Sequence, residues 1–253
     1  MADRARYLFA VARGLDPASL DGVVGLREEP LEYVDHKGMQ AVVCDVDLSE
    51  FGEDVLPQAL EDLNWLESVA RAHNEVIWRV AAQATVAPMR LVTVCADDDS
   101  VRQRIDDNEA GLIRVLDNVE GRREWSVKAY AVREGAATHA APAGSGAGEG
   151  AAYLKRKKEQ ATRRQQSSDR ALAIAEEVHH ALAGRAAASR RLSAQDPRLT
   201  GRNDPMILNA AYLVADDDGD GFVDMVRQLQ DTITAATVEL QGPWPPYSFA
   251  VLE

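Results

Sequence analysis

A run of alanine and glycine near the middle of the chain is the feature that most constrains the fold. Residues 135–150, GAATHAAPAGSGAGEG, contain almost no side chain large enough to bury, a composition typical of a flexible linker. We therefore place a domain boundary here. The sequence predicts an N-terminal α+β domain over 1–135, a flexible linker over 136–150 and a C-terminal domain over 151–253.

Charge is distributed unevenly around this run. The 253 residues include 28 Lys and Arg and 41 Asp and Glu, which gives a net charge of −13. Only residues 151–202 reverse the sign, with 12 basic and 5 acidic residues. A chain with this balance has no general affinity for phosphate, so we expect no nucleic-acid partner.

Cysteine content and hydropathy indicate the compartment. The two cysteines, Cys44 and Cys95, form no C-x-x-C pair, and we expect both to be reduced thiols in the cytoplasm. The apolar patch at 7–12 is too short for the core of a signal peptide, and no segment is apolar enough to span a bilayer. The sequence therefore predicts a cytoplasmic protein with no membrane partner.

The first half alternates strand and helix patterns. A glycine-containing turn at 36–38 joins two of the strands as a hairpin. Acidic residues before Val101 supply the N-terminal cap of a helix that ends at Gly121. We expect strands at 7–12, 31–34, 39–46, 85–95 and 125–131, the last closing the domain, and helices at 56–84 and 101–119.

The second half begins with good helix formers, which predict a helical arm or hairpin over 151–192. Its end predicts a strand, a helix and a strand within 206–252, with the helix running to about Ala236 and the last strand at 247–252. Both halves are thus expected to be α+β, with ferredoxin-like sheets and packed helices as the suggested arrangement.

An acidic loop is the sharpest candidate for a metal site. Asp216, Asp218, Asp220 and Asp224 occupy positions 1, 3, 5 and 9 of a calcium-loop pattern. The twelfth position, where such a loop uses glutamate, holds Arg227, and the preceding segment has a strand pattern. A solvated turn before an acidic helix N-terminus is favoured. A calcium-binding regulatory or interaction module stays as the alternative.

A basic run offers a further alternative. Residues Leu154–Arg164, LKRKKEQATRR, carry clustered Lys and Arg that attract phosphate, as in a nucleic-acid-binding arm. The run has no interleaved aromatic residue beyond Tyr153 and no strong apolar stripe. We favour docking against an acidic surface of this chain or of a partner.

Catalytic patterns are not evident in the sequence. His73 lies on the apolar stripe of its predicted helix, where a hydrogen-bonded core histidine is commoner than a catalyst. His179 and His180 are adjacent and cannot share one helical face. We expect a non-enzymatic protein with no catalytic residue and no cofactor.

Five segments, in this order and spacing, resemble the gas vesicle protein F/L family (GvpF/GvpL): NWLESVARAHNEVI (64–77), VAPMRLVTV (86–94), EWSVK (124–128), NAAYLV (209–214) and GPWPPYSF (242–249). The last, with three prolines and three aromatic residues, suits either recognition or a tight turn that places Trp244 over the core. The family often has Phe-Gly where this chain has Leu91 and Val92.

The resemblance implies a non-enzymatic accessory protein of gas vesicle formation with two α+β domains. It implies binding to the small hydrophobic shell subunit (GvpA type), other accessory proteins as further partners, and a location on the gas-facing side of the shell. A strongly acidic protein can hold an aggregation-prone apolar subunit in solution. The expected contact residues are aromatic: Trp65, Trp78, Trp125, Trp244 and Tyr247.

Overall fold

The computed structural model describes residues 4–132 and 149–250 and has the predicted α+β class. Two compact units share the chain: a first unit of residues 1–124 and 243–253, and a second unit of residues 125–242. The elements, in chain order, are β1 (Arg4–Arg13), β2 (Glu32–His36), β3 (Met39–Asp47), α1 (Leu48–Phe51), α2 (Leu56–Ala59), α3 (Leu63–Ala81), β4 (Thr85–Pro88), β5 (Val94–Cys95), α4 (Asp98–Val119), β6 (Arg122–Ala131), α5 (Glu149–Ala183), β7 (Ala188–Arg191), α6 (Pro197–Thr200), β8 (Met206–Ala215), α7 (Gly219–Thr232) and β9 (Ala236–Trp244).

An antiparallel sheet forms the centre of the first unit. Its strand order is β2-β3-β1-β4, and β5 also pairs with β1. The predicted hairpin is confirmed, since β2 and β3 are joined through Lys37 and Gly38, both at positive φ as a type I′ turn requires. Two short 3-10 helices link β1 to β2, where a ferredoxin-like order has an α-helix.

β1 is the central strand of this sheet and is buried on both faces. Residues 7–12 are each at most 1% exposed. Tyr7 and Phe9 belong to the core beneath α3, whereas Leu8 and Val11 belong to the core beneath α4. Because helices cover both faces of the sheet, every position in this stretch must be apolar.

The two main helices of the first unit differ in how well the sequence predicts them. α4 is confirmed: Asp97 accepts the Ser100 backbone N–H at 2.8 Å, and the helix ends just before Gly121, whose φ is +64°. The prediction of a single helix over 56–84 is wrong, because the helical structure is interrupted between α2 and α3. Asp62 starts α3 by accepting backbone N–H groups of the first turn.

A second antiparallel sheet, in the order β7-β8-β6-β9, forms the second unit. β8 is buried from Leu208 to Val214. α5 and α7 cover one face of the sheet, with Val178 and Leu182 from α5 and Phe222 and Val226 from α7 in the shared core. An amphipathic helix face against alternating strand residues explains this layer.

The C-terminal half departs from the predicted elements. α5 ends at Ala183, and β7 lies inside the segment 151–192 that was expected to be helical. α7 ends at Thr232, and within the described residues the last strand is β9, since residues 247–250 form no strand. Helix propensity is a weak signal, and pairing with a distant strand overrides it.

The compact units also differ from the predicted domains. β6, expected to close the N-terminal domain, pairs within the sheet of the second unit, where Val127 and Ala129 are buried. Residues 243–250, expected in the C-terminal domain, belong to the first unit. The predicted linker lies mainly in 133–148, outside the described residues, and stays a prediction.

A chain of hydrogen bonds connects β1, α3 and the segment between β4 and β5. The Tyr7 hydroxyl accepts the Val92 backbone N–H at 2.9 Å and shares a second hydrogen bond with His73 Nδ1 at 3.0 Å. His73 is 2% exposed. Burial lowers the pKa of His73 from 6.5 to about 4, which keeps the ring neutral.

Val92 has a left-handed backbone, with φ at +61°. This conformation is uncommon for any residue with a Cβ and strained for a β-branched one. The position is the one at which the resembled family often has glycine. The hydrogen bond from Val92 to Tyr7 holds the backbone in this conformation.

We expect Val92→Gly to destabilise the protein less than Val94→Gly, by about 1–2 kcal/mol, because only the first change relieves left-handed strain. Both valines are partly buried against the core beneath α3, so the lost apolar contact is comparable. Urea unfolding of the two variants measures the difference. Equal losses of stability would contradict strain at Val92.

His73 should make the stability of the protein fall as the pH falls. The unfolded chain binds a proton near pH 6.5 and the folded one only near pH 4, so the stabilisation is complete above pH 6.5 and is lost toward pH 4. Relative to a His73→Gln variant, the wild type should lose about 2 kcal/mol between about pH 7.5 and pH 5.

Urea unfolding of both proteins at the two pH values provides the measurement. The carboxylates titrate in both, so the difference between the proteins isolates His73. Parallel pH profiles would show that the folded protein accepts the proton on His73 without penalty.

Candidate functional site

The C-terminal segment, which we define as residues 243–250, contains most of the GPWPPYSF motif and packs into the first unit. The Glu124 carboxylate, 6% exposed, accepts the Ser248 backbone N–H at 2.7 Å and its hydroxyl at 2.6 Å. The Tyr247 hydroxyl donates to Asn74 Oδ1 at 2.6 Å, and burial raises the pKa of this tyrosine. These bonds attach the segment to β6 and α3.

Trp78 and Trp244 form an aromatic pair on the surface of the first unit. Their rings are 5.6 Å apart at 71°, an edge-to-face arrangement, and each residue is 38% exposed. The GPWPPYSF motif was expected either to serve recognition or to form a tight turn that places Trp244 over the core. The turn is present, but Trp244 lies against another exposed tryptophan. The pair keeps a large apolar area in contact with water.

The other two tryptophans that were predicted as contact residues are more enclosed. Trp65 lies 5.4 Å from the Phe51 ring and donates from Nε1 to Glu50 at 2.6 Å. Trp125 belongs to the second unit, where its ring is 6.1 Å from that of Phe222. The structure therefore brings together Trp78, Trp244 and the nearby Tyr247, but not all five residues.

A cleft of about 520 Å³, which we call the α3–α4 cleft, opens in the first unit beside the C-terminal segment. Apolar side chains, among them Met89 and Leu91, form part of its wall. Four elements contribute its polar and small residues: Ala70, His73 and Asn74 from α3, Arg90 and Thr93 after β4, Arg104 and Asn108 from α4, and Tyr247 and Ala250 from the C-terminal segment.

Two arginines of this cleft differ from most of those in the first unit. Within residues 4–132 and 149–250, neither the Arg90 nor the Arg104 guanidinium makes an ion pair or a hydrogen bond, and both residues are exposed. Arginines elsewhere in the unit, such as Arg6 and Arg13, pair with carboxylates at 2.7 Å. The α3–α4 cleft therefore presents uncompensated positive charge.

Sequence reasoning did not identify this cleft. Its lining comes from three of the segments that carry the family resemblance and from α4. Some of these lining residues are more than 170 residues apart in the chain, such as Asn74 and Tyr247, which are joined by a hydrogen bond. His73 was correctly expected to be a hydrogen-bonded core residue. The arginines carried no local signal, because a single Arg in a mixed segment resembles any solvated residue.

In the acidic loop, two of the four aspartates of the calcium-loop pattern pair with arginines. α7 begins at the fourth position of the calcium-loop pattern, and the side chains pair with cations: Asp218 with Arg185 at 2.7 Å and Asp224 with Arg227 at 2.9 Å. Hydrogen bonding to Arg185 lowers the pKa of Asp218. In the described part of the chain, no group of three or more His, Cys, Asp or Glu lies together so as to hold a metal ion. The calcium alternative based on Asp216, Asp218, Asp220 and Asp224 stays a prediction.

The basic run lies on the N-terminal part of α5. Its described side chains, including Lys155, Lys157 and Lys158, are exposed, whereas α5 enters the core only from Ile174 onward. Docking of this run on an acidic surface stays a prediction. Among the described helices, none is both long and apolar enough to cross a membrane.

Known proteins resemble this chain over nearly its whole length. Residues 5–251 match the model of the family described as "Gas vesicle synthesis protein GvpL/GvpF". The chain is 37% identical to gas vesicle protein L of Streptomyces sp. (strain CB03234) over 98% of this chain and 93% of that protein. It is 27% identical to gas vesicle protein F of the same strain, over 96% and 98%.

Solved structures share the fold. The crystal structure of GvpF from Anabaena sp. PCC7120 superposes with a TM-score of 0.69 at 17% identity, over 99% of this chain and 97% of that one. GvpF from Microcystis aeruginosa gives a TM-score of 0.68 at 21% identity, over 98% and 99%. At these identities the superpositions establish the architecture alone.

Proposed function

We propose how this chain, which belongs to the GvpL/GvpF family of gas vesicle synthesis proteins, takes part in gas vesicle formation. In our proposal it binds the small hydrophobic shell subunit (GvpA type). In this proposal it is an accessory protein that acts by binding and not by catalysis. The subunit is held during nucleation or growth of the shell.

The aromatic pair is the observation that carries this proposal. Two tryptophans in contact, each 38% exposed, place a large rigid apolar area on the surface of a folded unit. Tryptophan is enriched among the residues that dominate binding energy at protein interfaces. Trp78 and Trp244 are therefore our first choice of contact residues, with Tyr247 beside them.

Trp65 and Trp125 have a smaller part in this proposal. Both have ring contacts within their own unit, and the Trp65 indole N–H is already hydrogen-bonded to Glu50. We assign them mainly to folding. Their substitution should affect stability before it affects binding.

Charge supports the same role. The first unit contains 13 Lys and Arg against 26 Asp and Glu. A protein of high net charge resists self-association, so a complex with an apolar subunit is kept dispersed. Apolar contact through the aromatic pair and repulsion between complexes are complementary requirements for an assembly factor.

The relatives favour one of the two roles within the family. Identity to protein L exceeds identity to protein F of the same Streptomyces strain by ten percentage points, 37% against 27%. We propose that this chain has the L-type role. We further propose that it works in the cytoplasm, with other gas vesicle accessory proteins as partners, and that it reaches the gas-facing side of the shell.

Removing the aromatic pair should weaken binding of the shell subunit. The full chain, tagged and co-expressed with the small shell subunit, should retain it in high salt, because an apolar interface is not screened. The double variant Trp78→Ala, Trp244→Ala should reduce the affinity at least about 30-fold, as expected for loss of dominant interface residues. Quantitative pull-down measures the retained subunit.

Tyr33→Ala is the matched control, since Tyr33 is an aromatic residue of similar exposure, 39%, on the edge strand β2. Its binding should equal that of the wild type. Melting temperatures establish that each variant is folded. A folded double variant that retains the subunit fully would remove the aromatic pair from the proposal, and no retention by the wild type would remove shell binding itself.

A further inference from the structure

We propose that the α3–α4 cleft of the first unit binds an acidic peptide segment of a partner protein. The inference does not depend on binding of the shell subunit, which was assigned to the aromatic pair. It rests on three features of the cleft: its positive charge, its amide groups and its apolar wall.

Positive charge is the first feature. Arg90 and Arg104 line the same cleft from different elements, and the described residues give neither guanidinium an ion pair. This occurs in a unit whose acidic residues outnumber its basic ones two to one. Arginine's planar fork matches a carboxylate better than any other side chain does. Two such groups at one opening suit an anionic partner.

Amide groups are the second feature, and they point to a peptide. Asn74 Oδ1 accepts the Tyr247 hydroxyl, which leaves the Asn74 amide N–H₂ as a donor. Asn108 uses its own N–H₂ on the Arg104 carbonyl at 2.9 Å, which leaves its oxygen as an acceptor. One donor and one acceptor complement the C=O and N–H of a peptide backbone.

The apolar wall is the third feature. Met89, Leu91 and Ala250 line the cleft together with the polar groups, so an apolar side chain of the ligand can be enclosed beside its carboxylates. A volume of about 520 Å³ lies in the range of ordinary ligand sites. An inorganic anion would leave this apolar surface without a partner.

The cleft is also held in shape before any ligand binds. The segment after β4 is fixed by the bonds from Val92 to Tyr7 and from Tyr7 to His73, and the C-terminal segment by those from Ser248 to Glu124. A pre-formed wall lowers the entropy cost of binding. Val92, whose backbone is left-handed, lies between the lining residues Leu91 and Thr93, and strain of this kind accumulates at ligand sites.

Fluorescence anisotropy of the full chain with a labelled short peptide of alternating leucine and glutamate tests the proposal. The matched peptide of leucine and glutamine is the ligand control. At about 0.1 M salt, we expect the glutamate peptide to bind at least about tenfold more tightly, because only it supplies carboxylates to the arginines. The net charge of the protein alone would favour the opposite order.

Variants locate the binding. Arg90→Gln with Arg104→Gln should weaken the glutamate peptide at least about tenfold. Arg71→Gln with Arg79→Gln removes the same charge from exposed arginines of α3 that are already paired with Glu67 and Glu75, and should change affinity by less than about twofold. Melting temperatures should be unaffected, since all four residues are exposed.

Asn74→Asp provides an independent variant. It keeps the oxygen that accepts the Tyr247 hydroxyl but replaces the free donor by negative charge, so binding of the glutamate peptide should fall at least about tenfold.

Three outcomes would overturn the proposal. The first is that the two peptides bind equally or not at all, and the second is that both pairs of arginine substitutions have the same effect. The third is that tripolyphosphate displaces the peptide at equal concentration, which would indicate a general anion site.

Discussion

Burial of β1 on both faces is the constraint on which the first unit depends. A strand covered on one side only can alternate apolar and polar residues, but this one must be apolar throughout and requires a helix on each side. α3 and α4 meet that requirement. Residues of the segment from Pro88 to Thr93 line the α3–α4 cleft together with residues of both helices.

A polar network completes what packing begins. The Tyr7 hydroxyl and the His73 ring are buried among apolar side chains, and each would be costly without a hydrogen-bond partner. Their mutual bond and the one from Val92 satisfy them, so the interior of the unit also determines the path of a surface segment. A strained valine persists there because surrounding interactions specify its backbone.

The family motifs act partly through folding and partly through the surface they expose. Within GPWPPYSF, Ser248 and Tyr247 form hydrogen bonds that return the end of the chain to the first unit, whereas Trp244 stays in contact with water. Within NWLESVARAHNEVI, His73 lies in the core and Asn74 at the cleft. The two proposed binding surfaces are thus adjacent along one C-terminal segment, although they recognise different chemistry.

The sequence by itself determined those elements whose signals are local. The β2–β3 hairpin follows from its turn, α4 from its acidic cap and apolar spacing, and β1 from an uninterrupted apolar run. Such signals need only neighbours within a few residues, because capping, turn geometry and helical periodicity are short-range effects.

Only the tertiary structure decided what depends on distant partners. β6 joined the second sheet, β7 interrupted a segment rich in helix formers, and residues 243–250 returned to the first unit. The convergence of Arg90, Arg104 and Asn74 on one cleft belongs to the same class. Strand pairing and cleft formation join residues far apart in the chain, and their free energy comes from burial and hydrogen bonding that no local window of sequence contains.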